Sequence, residues 1–378
     1  MADDPDAYVR DWKARTGRKA IGVLPMNFPS ELVHAAGALP VLIQESSEPI
    51  TLGRNLILEF YCGYTRSLVD QAVTGRFSHL DGIFLVDHCV ALLGAVDAIR
   101  FALPDMPVVL EQFVASMDEA WSPAQVVERV ALLRDRLTGL CGTDIDDEGL
   151  QNSISLYNRA RALLRRIYEL RRTGRAYLTS AEMQILVKSA MIMDVADHAG
   201  KLAELVDRLE EERPPIASAV RLHLSAHFCH AASPELLQAI EDCGASVVDD
   251  DLFTGYRFIS TDVDEALEPL HGLVAWYFAR NVAAPCSTRA QKSVDWEAFL
   301  IAKVRDAAAD GVVMLMPKFC EPHMLYYPEL RQALQAHDIP HLLVETEHEG
   351  LALEAVRVRV EAFLETIKRR VTVAREFV

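Results

Sequence analysis

Short, wholly apolar runs alternate along this chain with amphipathic stretches at helical spacing. Ala20-Ile21-Gly22-Val23-Leu24 reads as a strand and Met26-Asn27-Phe28-Pro29 as the loop beyond it. Ser30 is predicted to cap a helix through Glu31-Leu32-Val33, which Gly37 ends before the strand Pro40-Val41-Leu42-Ile43. The same signals return in the second half. Residues 220–225 read as a strand, 227–232 as a loop and Ser233 as a cap with Pro234 at the first helical position. Glu235-Leu236-Leu237 then leads to Gly244 and the strand Ala245-Ser246-Val247-Val248. Each half continues with an apolar strand opened by Asp-Gly: Asp81-Gly82-Ile83-Phe84-Leu85-Val86 and Asp310-Gly311-Val312-Val313-Met314-Leu315-Met316. Each closes on a strand behind a proline, Met106-Pro107-Val108-Val109-Leu110-Glu111 and Ile339-Pro340-His341-Leu342-Leu343-Val344-Glu345.

Strands alternating with helices predict parallel sheets built from right-handed βαβ units. The expected fold is α/β, with two similar Rossmann-like parallel-sheet domains joined by a helical segment. The boundaries read as 1–17 for an N-terminal segment, 18–140 for the first α/β domain, 141–215 for the helices and 216–378 for the second α/β domain. In the helical part, Leu156, Ala160, Leu163, Leu164 and Ile167 recur on one face. A second helix is expected from the capping box Thr179-x-x-Glu182 through Ile185, Leu186 and Ile192, ending at the linker Glu210-Glu211-Glu212-Arg213-Pro214-Pro215. The basic stretch 161–175 has its charges interleaved with apolar residues and reads as a solvated helix face.

A chain of 378 residues, 51% hydrophobic and 25% charged, has ample apolar material for more than one core. Its net charge of −17 argues against nucleic acid as a partner, because phosphate binding needs a concentrated basic face. No apolar run approaches the ~18 residues of a membrane span. The first residues lack the apolar core of a signal peptide, so a cytoplasmic location is expected. The chain carries no G-x-G-x-x-G, P-loop or G-x-S-x-G motif, so any ATP it depends on must be bound by another polypeptide.

The seven cysteines include no C-x-x-C pair, and an odd number without a signal peptide argues against a disulfide framework. Cys89 and Cys320 each follow an Asp-Gly strand, in the loop beyond its carboxyl end, where open parallel sheets hold their ligands. Cys62, in Tyr61-Cys62-Gly63-Tyr64, stands before an expected helix next to a flexible glycine. These three could converge on one site and hold a metal; the competing reading is that each is a small buried hydrophobe. Cys286 is a reserve ligand. Cys229, in His227-Phe228-Cys229-His230, lacks the second ligand pair a zinc site would need, and Cys141 and Cys243 precede glycines and read as structural. A Cys–His hydrolytic pair, for example Cys89 with His323, is another chemistry the residues allow.

At these residues the chain resembles the family of 2-hydroxyacyl-CoA dehydratase and class I benzoyl-CoA reductase subunits. The likeness rests on Pro29-x-Glu31-Leu32 with Ala35-Ala36-Gly37-Ala38-Leu39-Pro40, the Cys62 segment, the strand ending at Cys89, and Ile240-Glu241 with Gly244. It continues through Val247-Val248-Asp249-Asp250, Gly255-Tyr256-Arg257, Phe319-Cys320, Val344-Glu345 and the run 357–363. The resemblance implies a 4Fe–4S cluster on Cys62, Cys89 and Cys320, three thiolates where four are usual, leaving one iron open. It implies a paralogous catalytic subunit, a separate ATP-hydrolysing iron–sulfur activator that alone carries ATP and Mg, ferredoxin as electron source, and an aromatic acyl-CoA substrate. His88 and His323 flank the implied ligands and are candidate proton or hydrogen-bond donors, with a structural role as the competing reading. Within the family the chain looks most like the smaller catalytic-pair subunit of benzoyl-CoA reductase. The alternatives are a β-type 2-hydroxyacyl-CoA dehydratase subunit, acting through a ketyl radical, and a non-catalytic partner that shapes a paralogue's pocket. Two positions depart from the family pattern: Val90 follows Cys89 where Asp is usual, and Val358-Arg359 replaces Thr-Arg.

Overall fold

Two four-stranded, all-parallel sheets with one strand order carry the fold. The structure, a computed structural model, describes residues 4–25, 27–211, 220–226 and 229–376. Met26, linker residues 212–215 and the loop residues His227 and Phe228 lie outside the described residues.

The chain opens with α1 (Pro5–Thr16), an element that the hydrophobic pattern alone does not announce; Asp4 caps it by accepting from Ala7 N at 2.8 Å. The first unit follows as β1 (Ala20–Leu24), α2 (Ser30–Ala35), β2 (Leu39–Leu42), α3 (Gly63–Val73), β3 (Gly82–Val86), α4 (Val90–Ala102) and β4 (Val108–Glu111). Four helices come next: α5 (Ser122–Cys141), α6 (Asp147–Arg172), α7 (Ser180–Ala190) and α8 (Val195–Glu211). The second unit begins with β5 (Val220–Ala226), α9 (Pro234–Asp242) and β6 (Ala245–Asp250), then α10 (Tyr256–Ile259), α11 (Pro269–Ala283) and α12 (Trp296–Asp306). It ends with β7 (Gly311–Pro317), α13 (Glu321–Ala336), β8 (His341–Thr346) and α14 (Leu353–Glu376). No helix among the described residues is long and apolar enough to cross a membrane.

Sheet order is β2-β1-β3-β4 in the first unit and β6-β5-β7-β8 in the second. The repeated Asp-Gly has a physical cause. Asp81 Oδ2 accepts from Ala20 N at 2.8 Å, and Asp310 Oδ2 accepts from Arg221 N at 2.8 Å. Each aspartate therefore satisfies a backbone donor where the neighbouring strand starts, at the end of the sheet opposite the cysteine loops.

Helix punctuation is mostly as expected. Ser233 accepts from Leu236 N at 3.1 Å, and Gly37 and Gly244 end their helices at φ 74° and 91°. Both bonds of the Thr179–Glu182 capping box form. Ser30, however, is the first helical residue of α2 rather than its cap, and Pro29 at the cap offers no side-chain acceptor. The helix expected from Thr179 through Ile192 stops at Ala190, because Asp194 accepts from Ala196 N at 3.0 Å and starts α8.

The basic stretch on α6 is not a solvated face. Arg161 is buried and pairs with Glu31 Oε1 of α2 at 2.9 Å, while Arg165 holds Ile259 O at 2.8 Å and the Asp262 carboxylate. Arg171 is buried against Leu178 O at 2.9 Å, Ser180 Oγ at 3.1 Å and Glu241 of α9 at 3.7 Å. The helix thereby ties elements of both units together. Packing crosses the chain order as well: Phe253, Ile259, Val263 and the α11 residues Leu273, Val274 and Trp276 belong to the core that surrounds the first sheet. The second sheet has α9 and α14 on one face and α12 and α13 on the other.

Two outcomes follow from the buried polar groups of these helices. Arg161→Met leaves the Glu31 carboxylate, 1% exposed, without its cation, and should cost about 3–5 kcal/mol in urea unfolding; a loss below about 1 kcal/mol would contradict the buried-pair account. His198 on α8, with Nε2 2.8 Å from Ser189 Oγ, is held by burial at a pKa of about 4 against an ordinary 6.5. A depressed value means stability fully present above pH 6.5 and lost as pH falls toward 4, by about 3 kcal/mol. Unfolding measured stepwise across that window should show His198→Gln losing correspondingly less than the parent.

Candidate functional site

Three cysteines occupy one local setting. Cys62, Cys89 and Cys320 are the N-cap residues of α3, α4 and α13. None of the sulfurs makes a cap hydrogen bond, but each lies at the positive end of its helix, where the backbone N–H of the residue three positions on, Thr65, Leu92 and His323 respectively, favours the thiolate. All three line one cavity of about 170 Å³, together with Cys229, His88 and His230. Its walls come from the strand ends of both sheets, where ligands of parallel α/β folds sit.

The thiols differ in their electrostatics. Burial pushes Cys89 up to about 11 and Cys320 well above its usual range, and the Cys62 sulfur adds to both shifts. Burial is the largest single influence on Cys62 and would raise it, but the hydrogen bond and charge of His230, with the hydroxyl and N–H of Thr65, together outweigh it and hold the thiol below its ordinary value. His230 is governed by Glu45. Burial alone would depress its imidazole, yet Glu45 and Cys62 bring it up to about 10. His230 Nδ1 lies 3.0 Å from Glu45 Oε2, and His348 Nδ1 lies 2.7 Å from Glu45 Oε1. Burial would push the Glu45 carboxyl up, but the two imidazoles hold it at about 2.

Gly63, beside Cys62, serves space rather than flexibility. A Cβ there would fall 2.7 Å from His348 Cβ and 3.0 Å from Glu45 Oε1. Phe319, before Cys320, holds φ 62°, a left-handed conformation costly for an aromatic residue, of the kind that concentrates at functional sites. The loop carrying Cys89 is braced from the second half of the chain: Arg289 donates to Asp87 O at 2.7 Å and to His88 O at 3.2 Å.

The remaining candidates fall around this cavity. His88 lines it, with Nδ1 3.4 Å from Asn27 Nδ2 and Nε2 3.9 Å from Cys286 Sγ. Cys286 is not on the lining; burial would raise its thiol, and His88 brings it down to about 6. His323 lies behind the cavity on α13, fully buried with its ring centroid 6.0 Å from that of Trp296, and burial holds it at about 3. The Cys243 thiol donates to Ala239 O at 3.1 Å, away from the cavity. Sequence reasoning missed Glu45, His348 and the role of His230. The His-x-Cys-His run marked His230, but nothing in the polar loop Gln44-Glu45-Ser46-Ser47 marked Glu45.

Among the described residues, no three His, Cys, Asp or Glu side chains meet closely enough to hold a single ion. A polynuclear cluster asks something different: its cysteines bind separate irons and stand around a cavity instead of meeting at a point. The three N-cap thiols, with backbone N–H groups to stabilise negative sulfur, fit that requirement.

Two Rossmann-like units with thiols around a shared strand-end cavity define the class of protein. The family described as 2-hydroxyglutaryl-CoA dehydratase, D-component, matches residues 25–367, and the chain belongs to it. Similar proteins include the (R)-phenyllactyl-CoA dehydratase beta subunit of Clostridium sporogenes, 24% identical over 97% of this chain and 96% of the relative. One of the benzoyl-CoA reductase subunits of Thauera aromatica is 25% identical over 95% of this chain and 94% of the relative. The (R)-2-hydroxyglutaryl-CoA dehydratase beta subunit of Acidaminococcus fermentans is 24% identical over 97% of each chain.

The thiol electrostatics have a direct readout. Near neutral pH, iodoacetamide should label Cys62 ahead of Cys89 and Cys320 in the metal-free chain, and Glu45→Gln should slow Cys62 labelling several-fold, as followed by peptide mass spectrometry. Labelling led by Cys89, or unaffected by Glu45→Gln, would contradict the assignment of Glu45 and His230.

Proposed function

We propose that Cys62, Cys89 and Cys320 hold a 4Fe–4S cluster, and that the chain is the iron–sulfur subunit of a reductase acting on an aromatic acyl-CoA. The observation that carries this reading is the equivalence of the three thiols, each the N-cap residue of a helix that begins at a strand-end loop, around one cavity. When bound, such a cluster supplies single electrons at low potential, tuned by charge, hydrogen bonding and solvent exposure. The chain's own residues do the rest. His230 favours the thiolate form of Cys62, and Glu45 holds His230 in place. Phe60, Val90 and Phe319, exposed by 62%, 71% and 40%, give the cavity an apolar mouth suited to an aromatic acyl group or to the face of a paralogous subunit. His88, on the lining, is the candidate proton or hydrogen-bond donor. His323, buried and neutral behind the Cys320 loop, fits a positioning role.

On this reading ATP, Mg and the entry of electrons from ferredoxin belong to partner subunits. A second reading is a dehydratase beta subunit acting on a 2-hydroxyacyl-CoA, and the likeness to the phenyllactyl-CoA and 2-hydroxyglutaryl-CoA dehydratase beta subunits favours it at nearly the same level. Electron stoichiometry separates the two, because the dehydration is redox-neutral and the reduction consumes electrons.

Anaerobic co-production with the paralogous subunit and its activator should yield a brown complex containing iron and sulfide. Cys62→Ala, Cys89→Ala and Cys320→Ala should each remove this chain's iron, while Cys141→Ala should retain it. A colourless, iron-free parent complex would overturn the cluster. Turnover of a 2-hydroxyacyl-CoA without net electron consumption, and none of an aromatic acyl-CoA, would replace the reductase with the dehydratase.

A further inference from the structure

A second and larger cavity, of about 520 Å³, lies on the other side of His230. It too is built from both halves: Glu45, Ser46 and Ser47 beyond β2, Arg66 of α3, Lys188 of α7, the start of α9, and the loops after β7 and β8. That volume lies within the range of small-molecule sites.

Its charge balance sets it apart from the rest of a chain with a net charge of −17. Two of its carboxylates are already satisfied, Glu45 by His230 and His348, and Glu347 by Lys318 at 2.6 Å. Arg66 and Lys188 have no ion pair and no side-chain hydrogen bond among the described residues, and Arg66 Nε is shut off from solvent without an acceptor. Burial lowers the Lys188 ammonium from its usual value, and only the field of the already paired Glu45 works against this. The third carboxylate of the wall, Glu235, is exposed. Proteins seldom leave two half-buried cations uncompensated, because an unmet charged donor is costly. The amino end of α9, nine residues long with Ser233 at its cap, opens on the same space and favours negative charge.

We propose that this second cavity binds a small phosphorylated ligand, with Arg66 and Lys188 as the counter-charges to its phosphate. Two cations on separate helices and a helix amino end match a dianion better than a single carboxylate. The site does not depend on the cluster reading, since none of its proposed contacts is a cluster thiol.

Calorimetry on the full chain in a phosphate-free buffer tests it, with inorganic phosphate, pyrophosphate, AMP and acetate as probes. At least one phosphate probe should bind more tightly than acetate and raise the melting temperature, since a ligand of the native state stabilises it. Tighter AMP would identify a phosphate ester as the natural ligand, and tighter inorganic phosphate or pyrophosphate the free anion. Arg66→Gln and Lys188→Gln should each weaken binding about tenfold or more, while Arg208→Gln, at an exposed position of α8, should leave it unchanged. Removing an uncompensated cation should not lower the melting temperature of the ligand-free protein; should one variant fail to fold, the other is read alone. No binding at millimolar concentration, acetate binding as tightly as phosphate, or unchanged affinity in the variants would overturn the proposal.

Discussion

A carboxylate between two imidazoles is the constraint on which the site depends. Glu45 stands on the loop beyond the second strand of the first sheet, and His230 and His348 reach it from loops at the strand ends of the second. With only about a tenth of its side chain exposed, Glu45 would be expensive as a lone anion, and each imidazole would be expensive as a lone cation. Together they hold two sets of strand-end loops face to face. Continuity with the cavity is immediate, since His230 acts on the Cys62 thiol and Gly63 leaves the room that His348 needs. The contacts Ile50 N to Glu349 Oε1 at 2.5 Å and Arg54 to Glu349 at 2.9 Å extend the same seam toward the surface.

Around that seam the fold repeats one device. A strand ends, the chain turns, and a cysteine takes the N-cap position of the following helix, so that its sulfur lies at the positive end of the helix dipole. Cys89 and Cys320 arise in this way at equivalent places in the two sheets, and Cys62 arrives through a longer loop after β2. Burial, with the charge of the neighbouring Cys62 sulfur, makes Cys89 and Cys320 poor anions in the absence of a cation, as their raised values attest. A group that binds thiolates reverses that penalty. The proposed function draws on this chemistry, and membership of the family sets the range of reactions it can serve.

Much of the architecture was legible because parallel strands buried on both faces read as continuous apolar runs, and their helices begin and end on Ser, Pro and Gly. The Asp-Gly repeat was legible for a local reason that has nothing to do with catalysis: the aspartate satisfies a donor of the adjoining strand. What escaped was what tertiary contact alone determines. Arg161 and Arg171 have the spacing of a solvated face, and nothing local tells that Glu31 and Glu241 will meet them. α11 lies in the second half of the sequence yet packs into the core around the first sheet. Cys62, Cys89 and Cys320 were visible as loop thiols, whereas Glu45 belongs to a polar segment that resembles any turn. Its partners are remote in sequence, and their meeting depends on both sheets being formed.

On the proposed function, thiols from both sheets surround a single metal cluster. Crystals of the anaerobically isolated complex, measured at the iron absorption edge, test it most directly. One compact iron peak is expected within this chain, bounded by the sulfurs of Cys62, Cys89 and Cys320. An empty cavity, or iron bound instead at Cys286 and His88, would contradict it.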